Sequence, residues 1–168
     1  PPMTEMREFG HIHPFAPAEQ WRGYRELIES LEDRLAKATG YAAVSIQPNA
    51  GSQGEYAGLL IIRKWHESRG EGHRNVCLIP TSAHGTNPAT AAMCGYSTVS
   101  IPTDSHGNVD LKKIREAVDE ETVGLMLTNP NTLGLFEQEI LDVTAAVHES
   151  GGLVYGDGAN LNAILGAV

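Results

Sequence analysis

The chain contains the stretch VCLIPTSAHGTNPATAAM (residues 76–93), in which an apolar run is followed by a polar loop and then by small residues. The run from Val76 to Ile79 is apolar without alternation, which is typical of a strand buried on both faces of a parallel sheet. The loop from Pro80 to Pro88 is rich in turn-forming residues. The residues from Ala89 to Met93 favour a helix. This order of strand, loop and helix predicts one unit of an α/β protein.

The same order recurs on both sides of this stretch. Amphipathic patterns predict helices, and short apolar runs predict strands. The predicted helices are 18–39, 53–67, 109–118 and 140–149, and the other apolar runs are 43–46, 98–101, 123–127 and 153–155. We therefore expect a three-layer α/β sandwich with a mostly parallel sheet. Residues 1–16, rich in proline and histidine, are predicted to form an N-terminal arm, and residues 17–168 to belong to one domain.

Composition restricts the classes of partner. The 168 residues are 41% hydrophobic and 20% charged, which is typical of a globular protein. The formal net charge is −9, with only 12 lysines and arginines. Because nucleic-acid binding needs clustered basic residues, we expect no DNA or RNA partner.

The cysteine count and the apolar runs indicate the environment of the protein. Two cysteines, Cys77 and Cys94, are too few for a disulfide scaffold, so a reducing compartment is expected. No stretch approaches the ~18 consecutive apolar residues that cross a bilayer, and no targeting segment is visible. We expect a soluble protein with no membrane partner.

Four polar loops follow or connect the predicted strands, where ligands bind in open α/β sheets. The first, Asn49 to Gly54, precedes a predicted helix whose N-terminal amides favour a phosphate. It matches neither the P-loop nor the dinucleotide fingerprint, and it is also compatible with a plain turn. The second holds His84, which is compatible with acid–base catalysis, metal binding, ring stacking or a simple loop role. The other histidines show no zinc-site spacing, so no metal is predicted.

The third loop, Thr128 to Gly134, contains an Asn-Pro turn signal. In the fourth, Asp157 follows an apolar strand and stands between Gly156 and Gly158. A carboxylate buried there requires a partner. The partner could be an arginine, a metal or the protonated ring nitrogen of pyridoxal phosphate (PLP), and Asp157 could instead cap a helix.

The chain resembles the P-protein family of glycine-decarboxylating enzymes of the glycine cleavage system over nearly its whole length. Five stretches in the same order carry the resemblance: 13–17, 47–58, 66–74, 82–89 and 157–162. A sixth, 127–137, resembles the two-subunit form of that enzyme more closely, whereas the others resemble the single-chain form. Both forms remain possible on the sequence.

The resemblance implies a fold, a cofactor and a set of roles. The fold would be an incomplete large domain of PLP-dependent transferase fold type I, which is aspartate-aminotransferase-like. Gly51, Ser52 and Gln53 would hold the PLP phosphate. His84 would stack on the ring and Asp157 would pair with the ring nitrogen; these two are the expected catalytic residues. The resemblance further implies that Ala159 packs beneath the ring and that the side chains lining the substrate site more loosely are Thr128, Asn131 and Asn160.

The implied reaction is PLP-dependent decarboxylation of glycine with transfer of the aminomethyl group to the lipoyl group of H-protein. A homodimer or a two-subunit assembly is implied, in the cytoplasm of a bacterium or the mitochondrial matrix of a eukaryote. The family places its Schiff-base lysine some tens of residues after the aspartate. The four lysines of this chain lie in charge-rich predicted helices and are expected to face solvent: Lys37, Lys64, Lys112 and Lys113. We therefore expect this polypeptide alone to lack the lysine anchor and to have little or no activity.

Two alternatives remain open at this stage. One is another fold-type-I PLP enzyme, either an aminotransferase or an amino-acid decarboxylase, which would share the glycine loop and Asp157. The other is a non-catalytic subunit that uses the fold for assembly.

Overall fold

A computed structural model describes residues 5–158. These residues form two compact units, 5–47 and 48–158. In the first unit, helix α1 spans Arg7–Gly10, a 3-10 turn spans Ala18–Trp21 and helix α2 spans Arg22–Thr39. Helix α2 ends at Gly40, whose φ of 75° is the left-handed conformation that glycine adopts without steric cost.

The predicted arm packs on the residues that follow it. The hydroxyl of Tyr24 donates to the carbonyl of Phe9 at 2.7 Å, and the indole of Trp21 donates to the carbonyl of Ala16 at 3.0 Å. The boundary between the two compact units follows Gln47. The division into an arm over residues 1–16 and one domain over residues 17–168 stays a prediction.

The second unit alternates helices with strands. The helices are α3 (Gly51–Ser68), α4 (Thr86–Met93), α5 (Leu111–Ala117) and α6 (Ile140–Glu149). The strands are β1 (Val76–Pro80), β2 (Ser97–Ile101), β3 (Thr122–Thr128) and β4 (Leu153–Asp157). They form one sheet in the order β2-β1-β3-β4, and every pairing is parallel. The expected parallel α/β fold is confirmed for the described part of the chain.

Two apolar clusters cover the two faces of this sheet. On one face, Leu59 of α3 and Ala91 of α4 pack with Ile79 of β1. On the other, Ile114 of α5 and Val147 of α6 belong to a separate cluster. Strand residues contribute alternately to the two clusters because successive side chains of a strand point to opposite faces. The helix–sheet–helix arrangement is the predicted three-layer sandwich.

A register shift interrupts the pairing of β1 with β3. Val76 pairs with Thr122, but Cys77 pairs with Gly124, so Val123 has no partner residue on β1. An extra residue of this kind reorients the strand locally. As a result, Val123 packs in the same cluster as Met126, which lies three residues further along.

Most predicted element bounds agree with the structure within a few residues. Helix α4 begins at Thr86, three residues before the predicted start, and therefore includes part of the His84 loop. Helix α5 begins at Leu111, because Val109 forms an isolated antiparallel bridge with Thr103 and Asp110 caps the helix by accepting from the Lys113 amide.

The prediction of a strand at residues 43–46 is wrong: they form no strand. The amide of Ile46 donates to a carboxylate oxygen of Glu32 at 3.1 Å instead of to a neighbouring strand. Among residues 5–158, no helix has the length and apolar character needed to cross a membrane.

Candidate cofactor site

A cavity of about 590 Å³ lies at the carboxyl ends of the strands in the second unit. Its walls come from the N-terminus of α3, the loop after β1, and the ends of β3 and β4. The parallel sheet places these segments together because every strand ends at the same edge. The residues that line it are Ala50, Gly51, Ser52, Gly54, Glu55, His84, Thr86, Thr128, Thr132, Tyr155, Gly156, Asp157 and Gly158.

Asp157, the last residue of β4, is half-buried in this cavity. Its Oδ2 atom accepts hydrogen bonds from Thr128 Oγ1 at 3.2 Å and from Asn87 Nδ2 at 3.3 Å. Within residues 5–158, Oδ1 accepts no hydrogen bond and no basic side chain forms an ion pair with Asp157. One carboxylate oxygen is thus held by neutral donors, and the other is available to a cationic ligand.

The N-terminus of α3 supplies backbone donors to the same cavity. Ala50, the residue before the helix, has no side chain able to cap it. The amides of Gly51 and Ser52 lie in the first turn, where no intrahelical acceptor exists. With the helix dipole, two such donors form a favourable position for an anion.

His84 is exposed at the cavity wall, and its position is linked to that of a buried carboxylate. Its Nδ1 lies 2.7 Å from Thr86 Oγ1, and that hydroxyl donates to Oε1 of Glu55 at 2.7 Å. Thr90 donates to Oε2 of Glu55 at 3.1 Å. Glu55 is only 6% exposed, and both of its oxygens are hydrogen-bonded, as burial requires.

Tyr155 of β4 also lines the cavity. Burial, together with the nearby carboxylates of Asp157 and Glu55, raises the pKa of its phenol to about 12. The phenol therefore keeps its proton at neutral pH and remains a hydrogen-bond donor. The Tyr155 ring lies against Gly58 of α3, where a Cβ would come within 2.6 Å of the ring.

The structure brings most, but not all, of the predicted site residues together. Gly51, Ser52, His84, Thr128 and Asp157 line the cavity. The predicted residues Ala159 and Asn160 lie outside the described residues.

Two predicted residues do not line it. Gln53 turns back, so that its Oε1 accepts from the Asn49 amide at 2.8 Å. Asn131 is 5% exposed, and its Nδ2 donates to the Gly107 carbonyl at 3.0 Å and to Glu137 at 3.2 Å. Its Oδ1 accepts from the amides of two later residues in its own loop. The side chain of Asn131 thus fixes the shape of that loop.

Four residues of the site were not predicted from the sequence: Glu55, Thr86, Asn87 and Tyr155. Thr86 and Asn87 lie two and three residues after His84, so the predicted loop itself contained the signal. Glu55 lies four residues after Gly51, which places it on the same helix face as the glycine loop. Among residues 5–158, no group of three or more histidine, cysteine, aspartate or glutamate side chains is arranged to hold a metal ion.

Comparison with known proteins finds a relative that matches nearly the whole chain in sequence. Glycine dehydrogenase (decarboxylating) from Nostoc punctiforme is 60% identical over 98% of this chain. The chain spans only 17% of the length of that relative. No protein-family model matches the chain.

Solved structures with low sequence identity share the fold. The sphingosine-1-phosphate lyase of Burkholderia pseudomallei is 21% identical, with a TM-score of 0.67 over 80% of this chain and 33% of the lyase. A NifS-like protein is 20% identical, with a TM-score of 0.67 over 92% of this chain and 42% of that protein. The alanine aminotransferase of Pyrococcus furiosus is 18% identical, with a TM-score of 0.54 over 78% of this chain and 33% of the aminotransferase.

These structures have the architecture of PLP-dependent transferase fold type I, and the four-stranded parallel sheet described above is part of that architecture. Their low identities support the fold alone. The sequence match is high and covers almost every residue of the chain. The chain therefore corresponds in sequence to one segment of a longer protein similar to glycine dehydrogenase (decarboxylating).

Proposed function

We propose that the cavity at the strand ends binds PLP and that the protein carrying this chain decarboxylates glycine. The observation that carries the proposal is the state of Asp157. This carboxylate lies at a strand end, is held on one oxygen by Thr128 and Asn87, and has no basic partner among the described residues. A protonated pyridine nitrogen would supply the missing positive charge.

The rest of the cavity fits the shape and charge of PLP. The first-turn amides of Gly51 and Ser52 would receive the phosphate, since they lie at a positive helix end and donate to no acceptor within residues 5–158. Asp157 lies in the same cavity, so one ligand could contact both groups. The volume of about 590 Å³ is within the usual range for a cofactor pocket.

Other side chains would orient the cofactor and substrate. His84 would lie along one face of the ring, where its exposed imidazole has room to stack. Thr128 would line the substrate side while it holds Asp157 in place. Ala159 packing beneath the ring and Asn160 beside the substrate remain proposals from the family resemblance.

Bound PLP supplies an electron sink that stabilises the negative charge left on glycine when carbon dioxide departs. The role of Asp157 would be to keep the ring nitrogen protonated, because a neutral ring nitrogen withdraws electron density less strongly. The Tyr155 phenol, which stays protonated, would donate a hydrogen bond in the same cavity.

The proposed acceptor of the aminomethyl group is the lipoyl group of H-protein, the partner implied by the family. A homodimer or a two-subunit assembly would complete the protein. The cytoplasm is the proposed compartment for a bacterial member of the family.

The direct test is titration of PLP into the full chain, followed by absorbance. We expect Asp157→Asn to weaken binding by roughly ten- to a hundredfold, the effect of losing one charge-assisted hydrogen bond of about 1.5–3 kcal/mol. Asp142→Asn removes the same charge from an exposed position in the first turn of α6 and is the matched control. Equal PLP affinity in the two variants would contradict the proposal.

A second measurement separates glycine decarboxylation from the aminotransferase alternative. The full protein should exchange labelled bicarbonate into the carboxyl group of glycine when PLP and lipoylated H-protein are present. Exchange of the amino group with a 2-oxo acid, without carboxyl exchange, would favour an aminotransferase instead.

A further inference from the structure

A chain of three side chains links the buried core to the cavity wall. Glu55 of α3 is buried, Thr86 is partly buried at the start of α4, and His84 is exposed in the loop after β1. The two links, from Glu55 Oε1 to Thr86 Oγ1 and from Thr86 Oγ1 to His84 Nδ1, are each 2.7 Å. Both distances are within the range of good hydrogen bonds.

The number of available protons determines the direction of these bonds. A threonine hydroxyl has one hydrogen to donate, and an ionised carboxylate only accepts. Thr86 therefore gives its hydrogen to Glu55, and the remaining contact requires that His84 Nδ1 carries a proton and donates it to Thr86 Oγ1. Thr90 donates to the other oxygen of Glu55 and so fixes the carboxylate from its second side.

One contact opposes this direction. The backbone amide of Thr86 points to His84 Nδ1 at 3.3 Å, a bond that would need Nδ1 to be an acceptor. The hydroxyl contact is shorter by 0.6 Å (3.3 − 2.7) and is connected to a buried charge, so it dominates. The amide contact is at the long end of the hydrogen-bond range.

We infer that Glu55, acting through Thr86, is a positioning residue that holds His84 in the tautomer with the proton on Nδ1. Nε2 is then unprotonated and faces away from the link as a hydrogen-bond acceptor. The tautomer is a property of this chain alone, and only its use against a bound ligand rests on the proposed function. The bond from His84 Nδ1 to Thr86 Oγ1, which Glu55 holds in place, also fixes the ring orientation, and this suits a flat group stacked on a cofactor.

The test is nitrogen NMR of the imidazoles in the full chain at alkaline pH, where imidazole is neutral. His84→Asn identifies the His84 signals by their loss. We expect a protonated Nδ1 and an unprotonated Nε2 in the wild type. Thr86→Val should lower the ratio of the Nδ1–H to the Nε2–H form by roughly two- to tenfold, the effect of one hydrogen bond.

Two variants control for structure. Thr86→Ser keeps the hydroxyl and should restore the wild-type ratio. Thr90→Val removes a hydroxyl from the other oxygen of Glu55 and should leave the His84 tautomer unchanged. If Thr86→Val does not fold, Glu55→Gln replaces it in the test. The amide of the new side chain has a donor in place of one acceptor oxygen, so the ratio of the Nδ1–H to the Nε2–H form of His84 should fall as expected for Thr86→Val.

The inference is overturned if wild-type His84 has its proton on Nε2, or if Thr86→Val and Thr86→Ser give the same ratio. Failure of the proposed function looks different. In that case PLP does not bind the full chain, while the Thr86→Val and Thr86→Ser variants still differ in the tautomer ratio and the inference stands.

Discussion

Thr128 and Asp157 are register partners at the ends of adjacent parallel strands, and a hydrogen bond of 3.2 Å from Thr128 Oγ1 to Asp157 Oδ2 joins their side chains. Strand pairing therefore places the donor directly beside the carboxylate. The other donor to the same oxygen, Asn87 Nδ2, comes from α4. Three elements thus fix the position of one carboxylate oxygen, and no donor within residues 5–158 binds the other.

Thr128→Val tests how much this pairing contributes. The substitution removes one of the two donors to Oδ2, so we expect a loss of about 0.5–1.5 kcal/mol in unfolding free energy and weaker PLP binding. Urea denaturation and PLP titration measure the two effects. Thr144→Val is the control, because the Thr144 hydroxyl bonds to two carbonyls of its own helix. A Thr128 variant that binds PLP like the wild type would argue against a role for this hydrogen bond.

Gly58→Ala should destabilise the second unit. The new methyl would lie 2.6 Å from the Tyr155 ring, and relieving such overpacking costs about 1–3 kcal/mol. Gly54→Ala, in the same helix, meets nothing within 4 Å and should stabilise by about 0.5–1 kcal/mol. Thermal melts of the two variants should shift in opposite directions. If Gly58→Ala leaves the melting temperature unchanged, the Tyr155 ring moves aside without a cost in stability.

The run from His66 to Arg74 is a structural link at the other end of the sheet from the cavity. His66 is 1% exposed, and its Nε2 lies 2.9 Å from the carbonyl oxygen of Val123, near the start of β3. Its Nδ1 lies 3.1 Å from Glu71. Arg74 donates to the carbonyl of Thr122 at 2.9 Å. These contacts tie the segment after α3 to the first residues of β3.

The carboxyl of Glu71 should make stability depend on pH. The hydrogen bond from His66, and then the charges of Arg74 and Arg69, lower its pKa below the ordinary value of 4.5. A group with a lowered folded-state pKa stabilises the protein above the unfolded-state pKa, and this contribution is lost as pH falls through the folded-state value. Glu71→Gln should therefore be less stable than the wild type at neutral pH, with a difference that shrinks in acid.

The measurement is urea denaturation of wild type and Glu71→Gln across the acid range. Glu120→Gln is the control, because Glu120 is exposed and forms no salt bridge within the described residues. A stability difference for Glu71→Gln that is constant with pH would contradict the electrostatic explanation.

Both cysteines should resist modification in the folded protein. Cys77 is 1% exposed and Cys94 is 2% exposed. Burial raises the pKa of the Cys77 thiol to about 12 and also raises that of Cys94, so little thiolate is present at neutral pH. Ellman's reagent should react slowly with the native chain and rapidly in guanidinium. Fast reaction of two thiols without denaturant would show that the core around β1 opens readily.

Local sequence patterns predicted helices and strands correctly where the residues that the pattern makes apolar are also buried in the structure. The apolar runs at 76–79 and 123–127 are both buried strands, and helix α6 spans the predicted residues. The run at 43–46 is also apolar but forms no strand, because an apolar run indicates burial only if a neighbouring strand is available to pair with it.

The candidate site was predicted only in part, for a related reason. Asp157 and His84 were recognisable because each is a polar side chain in a loop or at a strand end. Glu55 was not, because a glutamate within a helix usually faces solvent, and only the packing of α4 shows that this one is buried. Asn131 was predicted to line the substrate site, and in the structure its side chain bonds to Glu137 and to its own loop.

The sequence by itself determined the α/β class, most of the order of strands and helices and the similarity to glycine dehydrogenase (decarboxylating), because hydrophobic periodicity and motif identity are local properties of the chain. Tertiary structure alone decided which polar groups meet. The parallel order β2-β1-β3-β4 places the carboxyl ends of β1, β3 and β4 next to one another. Residues as distant in sequence as Glu55, Asn87 and Asp157 therefore contribute to one site. Such contacts depend on strand register and helix packing, and neither of these is specified by any short segment of the chain.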